Sequence, residues 1–157
     1  MPHTSYDPAK GWPSVMPFLV YRDVGAALGF LGRTFGFVER LRWADDEGVV
    51  RVAEMAVAPG FYIGLSSGGD NYTSPRDLGK PATHTTLVFV DDVDAHRENV
   101  RAAGVDVVFE PADRPWGLRQ YVVEDLDGHQ WEFTQFVSDV PPSDWGATTP
   151  DDAPANR

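Results

Sequence analysis

Apolar positions fall in short runs bounded by Gly, Pro and Asp, and two of the runs stretch to helical length. Val15–Tyr21 predicts a strand, with Pro17 marking an edge position or a bend. Asp23 then caps a helix through Ala26–Phe35, which Gly36 ends. Strands follow at 37–43, 49–57 and 61–66, with turns at Asp45–Gly48 and Pro59–Gly60. The pattern restarts at His84–Val90, a strand, followed by a helix from Ala95 to Ala103 capped by Asp92 or Asp94 and ended by Gly104. A strand at 105–109, a loop at 110–117 and a closing hairpin complete the second run.

That hairpin, YVVEDLDGHQWEF, is the strongest local signal, because Asp127-Gly128 stands between two runs rich in β-branched and aromatic residues. A loop centred on Asp127-Gly128 sets Val123 opposite Glu132, Tyr121 opposite Thr134 and Arg119 opposite Phe136. Alternation then gives Gln130, Glu132 and Thr134 one face with Arg119, Tyr121 and Val123, a polar floor fit for binding. Trp131 and Phe133 take the other face, the seat for a helix, with Phe18, Val20, Ile63, Leu65, Leu87 and Phe89. Tyr21 and Tyr62 fall on the floor, and Trp43 and Trp116 at its rim. His129 is expected to face solvent, and His96 lies on a polar helix face. Glu54 sits badly, since the same count sends it to the helix side.

The two runs match each other. Tyr21–Val24 aligns with Val90–Val93 at a shift of 69, and Phe35–Phe37 with Ala103–Val105 at a shift of 68. At the second shift Arg51 falls on Arg119 and Gly64 on Glu132. A period near 70 residues is too long for a solenoid, so two like modules are expected. The resulting plan is an N-terminal arm (1–14), a first βαβββ module (15–66), a linker (67–83), a second βαβββ module (84–136) and a polar tail (137–157).

Composition narrows the chemistry. The 157 residues include no cysteine, so disulfides, thiolate metal sites and cysteine nucleophiles are all excluded. A net charge of −11 argues against a nucleic-acid partner and is compatible with a cationic ligand. No apolar run reaches transmembrane length, and a cytoplasmic protein with no membrane association is expected. No Ser-His-Asp constellation, phosphate loop or dinucleotide fingerprint is present.

The element order, with RDVGAALGFLGRTFGF in the first module and YVVEDLDGHQWEF closing the second, resembles the vicinal oxygen chelate superfamily over residues 15–136. That group holds glyoxalase I, extradiol dioxygenases, and fosfomycin- and bleomycin-resistance proteins. The resemblance implies an α+β fold with curved mixed sheets, a homodimer, and metal ligands from the first and last strands of each module. His84 and Glu132 occupy those positions in the second module, whereas Val15 and Gly64 occupy them in the first and offer no side-chain donor. The expectation is therefore a metal-free binder that sequesters a small organic molecule, cationic or aromatic, in the manner of antibiotic-resistance proteins. Its candidate ligand-binding residues are His84, Glu132, Arg119, Tyr121, Trp116, Tyr62, Arg51 and Thr134. The alternatives are a metal-dependent lyase, isomerase or dioxygenase with a divalent ion on His84 and Glu132, and metal-free catalysis with Glu132 as general base.

Overall fold

Two four-stranded sheets carry the chain, in strand orders β1-β4-β3-β2 and β5-β8-β7-β6. The elements are β1 (Phe18–Val20), α1 (Val24–Phe35), β2 (Val38–Ala44), β3 (Val50–Ala58), β4 (Phe61–Ser66), α2 (Pro75–Leu78), β5 (Thr85–Phe89), α3 (Val93–Ala102), β6 (Val107–Asp113), β7 (Leu118–Glu124) and β8 (Gln130–Phe136), followed by a 3-10 turn at Pro142–Trp145. This computed structural model describes residue 13, residues 15–79 and residues 81–150, so most of the expected N-terminal arm and the last seven residues lie outside it. The βαβββ order appears twice, an α+β fold. The described residues divide into two compact units, one of those up to 85 together with 124–130, the other of 86–123 together with 131–150.

In the first unit the Asp23 carboxylate accepts the Ala26 N–H at 2.8 Å and opens α1, and Gly36, at φ 79°, closes it. The helix packs on β3 and buries Val24, Ala27, Leu28, Leu31 and Phe35. Leu19, Tyr21, Ala53, Met55, Ile63 and Leu65 form the buried side of the sheet. Strand alternation puts Phe18, Val20, Val52, Glu54, Ala56, Tyr62 and Gly64 on the opposite face, which corrects the expected core places of Phe18 and Val20. β1 runs parallel to β4 with Phe18 beside Gly64, and β2, β3 and β4 are antiparallel neighbours, so this sheet is mixed.

In the second unit Asp92 caps α3 by accepting the Ala95 N–H at 2.9 Å. On its helix side Val88, Val93, Val100, Tyr121, Val123, Trp131 and Phe133 are buried, and Gln120, Val122 and Thr134 are buried on the other face. Val88 rather than Leu87 or Phe89 is the buried residue of β5, a second correction. β6 runs on to Asp113 through residues read as loop, with two register irregularities on the way. The segment expected to be a plain linker carries the single-turn α2, capped by Ser74 and closed by Gly79. Among the described residues no helix is long and apolar enough to cross a membrane.

The hairpin itself is one residue longer in its loop than Asp-Gly alone suggests. The Asp125 N–H donates to the His129 carbonyl at 3.0 Å, and the Gly128 N–H donates back to Asp125 at 3.1 Å. Leu126, Asp127 and Gly128 form a three-residue loop with Gly128 at φ 84°, a type I turn followed by a left-handed residue. Tyr121 therefore faces Phe133, their rings stacked at 5.5 Å, and Gln120 donates to Thr134 at 3.2 Å. A slip of one residue exchanges the faces of a strand, so Arg119, Tyr121 and Val123 lie on the side of Trp131 and Phe133, not with Glu132.

Candidate functional site

The stretch that looked like a site is first of all a clasp. Its tip, residues 124–130, belongs to the first unit and grips three consecutive residues there. The Asp125 carboxylate accepts the Tyr21 hydroxyl at 2.7 Å and the N–H groups of Asp127 and His129 at 3.0 Å each. Asp127 accepts the Arg22 N–H at 2.8 Å. His129 Nε2 donates to the Val20 carbonyl at 2.8 Å, since a carbonyl can only accept. Arg76 Nε adds a 2.8 Å bond to the Leu126 carbonyl. Asp125, Asp127, His129 and Tyr21 are all buried. His129 is thus not solvent-facing, since its ring turns in to the Val20 carbonyl, and Tyr21 is not on the binding floor, since it follows Leu19 on the buried side of β1. Burial, then the Asp125 charge and hydrogen bond, push the Tyr21 phenol well above its ordinary pKa.

Two further candidates are held on the helix side. Arg119 donates to both Asp94 carboxylate oxygens at 3.0 Å and to Asp113 at 2.9 Å. The Asp94 and then the Asp113 hydrogen bonds raise the Arg119 pKa, and the same contact lowers that of Asp94. Tyr121 shares a 2.6 Å hydrogen bond with His96, whose ring lies 4.0 Å from that of Phe133. His96 is therefore packed against the sheet and not simply on a polar face. Arg51, the extra residue of a bulge in β3 between the Trp43–Val52 and Ala44–Val50 pairs, donates to Asp45 at 2.7 Å across the β2–β3 turn. Arg119 and Tyr121 accordingly do not lie on the sheet faces turned away from the helices, and Arg51 is engaged by Asp45.

Those open faces are built from other residues. On the first sheet the centre is Glu54, 3% exposed, with Arg40 Nη1 donating to its carboxylate at 3.2 Å. Arg40 is the extra residue of a bulge between Glu39 and Leu41, which re-aims its side chain over the sheet. Its guanidinium stands 4.0 Å above the Tyr62 ring, a cation–π contact. Around this centre Phe18 is 53% and Trp43 58% exposed, and Leu41 is exposed beside Glu54 in the register. Gly64 lies under the Phe18 ring, where an added Cβ would meet ring carbons at 2.5–2.6 Å. The sequence had signalled Glu54 as inconsistent with a helix-side place; nothing in it singled out Arg40, whose role depends on the bulge.

On the second sheet the open face carries Glu132, half-buried, with Thr134, Gln120 and Val122. Trp116 Nε1 donates to Gln120 Oε1 at 3.2 Å, and Gln120 Nε2 donates on to Thr134 Oγ1. Phe109, opposite Val122 and 61% exposed, shares this face, and alternation adds Leu87, Phe89 and Phe136, all exposed. Both sheets thus offer wet aromatic surface around a carboxylate. Large apolar groups left in water mark binding surfaces more often than scattered ones do.

Metal chemistry needs three or four converging donors. Among the described residues no group of three or more His, Asp or Glu side chains stands close enough together to hold an ion. Val15 is exposed, and Gly64 has no side chain to offer. The partner of His84 is the His129 ring at 6.4 Å, in the wall of a cavity of about 150 Å³ lined also by Phe18, Val20 and Leu78.

TioX from Micromonospora sp. ML1 is 37% identical over 81% of this chain and 98% of that one, with a TM-score of 0.63. TnmS3 from Streptomyces sp. CB03234, described as an antibiotic binding protein, is 22% identical over 85% and 99%, with a TM-score of 0.62. FosX from Listeria monocytogenes, a fosfomycin resistance protein complexed with Mn(II) and sulfate, is 19% identical over 78% and 89%, with a TM-score of 0.61. At their identities the last two share the fold alone. No curated protein matches the chain significantly. The family model for the Glyoxalase/Bleomycin resistance protein/Dioxygenase superfamily spans residues 13–133. On the match of its sequence and of its paired βαβββ architecture, the chain belongs to that superfamily.

Proposed function

We propose that the protein binds a small, flat organic molecule on the open faces of its sheets, without a metal ion, and thereby sequesters it. The observation that carries this reading is the Glu54 centre: a buried carboxylate, matched by one guanidinium, within a rim of exposed aromatic side chains. Such a surface offers stacking and one strong charge, and among the described residues no three donors group there as metal ligands would. The net charge of −11 favours the approach of a cationic guest. The fold shared with an antibiotic-binding protein agrees with an antibiotic as the natural guest. We take the working form to be a homodimer, as the resemblance implies, and its location to be cytoplasmic.

The test uses proflavine, a planar aromatic cation, titrated into the untagged protein with tryptophan fluorescence as the signal. Saturable quenching is expected. Trp43→Ala and Phe18→Ala should each weaken binding by roughly 1–3 kcal/mol, the worth of a lost stacking contact. Arg119→Lys, which alters an ion pair on the helix side, should leave affinity unchanged. Affinity that falls with Arg119→Lys and ignores both aromatic variants would place the guest elsewhere and sink the reading.

A further inference from the structure

A groove of about 380 Å³ is lined by Pro75 and Arg76 of α2 and by Glu124, Gly128 and Gln130 around the tip of the closing hairpin. Its size is within the roughly 300–1,000 Å³ of small-molecule sites. Arg76 docks α2 on the hairpin, its backbone N–H donating to the Asp127 carbonyl at 3.0 Å and its Nε to the Leu126 carbonyl at 2.8 Å. Gly128 suits this approach, because at φ 84° a Cβ would strain the backbone and stand 3.4 Å from Pro75. Gln130 Nε2 donates to Glu124 Oε1 at 3.2 Å, and Thr85 Oγ1 donates to Gln130 Oε1 at 3.4 Å, so the Glu124 carboxylate is held in place as well.

Two charged groups of this groove are thus oriented but unspent. The Nε bond fixes the Arg76 guanidinium and leaves its Nη groups with no partner among the described residues. Glu124 Oε2 has none either, and the two side chains form no ion pair with each other. The carboxylates nearest Arg76 are already taken, Asp77 by Arg22 and Ser74, and Asp127 by the Arg22 N–H. Opposite signs in one groove select for charge: a plain anion meets Glu124, a plain cation meets Arg76, and a zwitterion satisfies both. A guanidinium fork takes a carboxylate through paired N–H···O bonds, and a carboxylate takes an ammonium. Pro75 and Pro81 also line the adjoining cavity of about 150 Å³, walled by Val20, Leu78 and Ala82. A cavity of that size holds benzene, and so has room for a branched alkyl side chain.

We propose that this groove is a second binding site, for a free α-amino acid with an apolar side chain: its carboxylate on Arg76, its ammonium on Glu124 and its side chain in the cavity beyond Pro75. The site goes beyond the binding of a flat molecule and uses none of the charged groups of the Glu54 centre. L-leucine is the probe, titrated into the isotope-labelled full-length chain, with the NMR signal of the Gln130 side-chain amide as local reporter. Saturable shifts are expected, and glycine, with no side chain to bury, should bind about tenfold more weakly. Glu124→Gln, which keeps an acceptor for Gln130, should weaken L-leucine about tenfold. N-acetyl-L-leucine has the carboxylate without the ammonium, so it should bind Glu124→Gln no more weakly than the wild type, while Arg76→Ala weakens both ligands. No saturable shift with L-leucine, or equal L-leucine affinity in wild type and Glu124→Gln, would overturn the site. Glycine binding as tightly as L-leucine would overturn the place given to the side chain.

Discussion

Trp131→Ala is expected to be among the most damaging single changes, costing about 3–5 kcal/mol, as deletion of a large buried aromatic does. Trp131 is fully buried on the helix side of β8, with Val123 opposite it in the register and Phe133 next on the same face. Close packing cannot collapse around so large a void, so lost burial and lost contacts add. Urea denaturation supplies the measurement, with Trp43→Ala as its control. Trp43 is a tryptophan on the open face of the first sheet, largely exposed, and its removal should cost under about 1 kcal/mol. Equal losses at the two sites would mean that the faces of the sheets are wrongly assigned.

Asp125→Ala should cost about 3–4 kcal/mol. One buried carboxylate takes the Tyr21 hydroxyl and two backbone N–H groups, and bonds to a charged acceptor contribute about 1.5–3 kcal/mol each without adding fully. The substitution also carries a pH signature. Tyr21 is raised by burial, then by Asp125, and Tyr121 is raised by burial. A group whose folded pKa lies above its unfolded value of about 10 stabilises the fold below that pH and loses the contribution as pH climbs past it. Wild-type stability should therefore fall above about pH 10. In Asp125→Ala the fall should be shallower, since the charge and the hydrogen bond are gone while burial of both phenols remains. A steeper alkaline loss in the variant would contradict the clasp.

The fold was legible in the sequence because it is written in periodic signals and glycine stops: Asp23 and Gly36 do bound the first helix, and the repeat of about 70 residues does mark two like modules. Faces were harder to read, and for one reason. A strand has period two, so any slip of one residue inverts every side chain. The Asp-Gly pair fixed where the closing hairpin turns but not whether its loop held two residues or three, and the third residue moved Arg119 and Tyr121 to the helix side. The burial of His129 and Tyr21 was hidden for another cause, since it follows from long-range bonds, His129 to the Val20 carbonyl and Tyr21 to Asp125. Trp116, Tyr62, Thr134 and Glu132 kept their expected sheet face, since loop, β4 and β8 positions were counted from the correct end. Arg40 was illegible because its place follows from a bulge, which no local pattern announces.

The central claim is that this member of the superfamily binds its guest without a metal. The most direct measurement is the metal content of untagged protein, grown in metal-supplemented medium and purified without chelators, beside that of His84→Ala. The account predicts substoichiometric metal in both, with no difference between them. Stoichiometric metal in the wild type that disappears in His84→Ala would contradict it and place the chain among the metal-dependent enzymes of its superfamily.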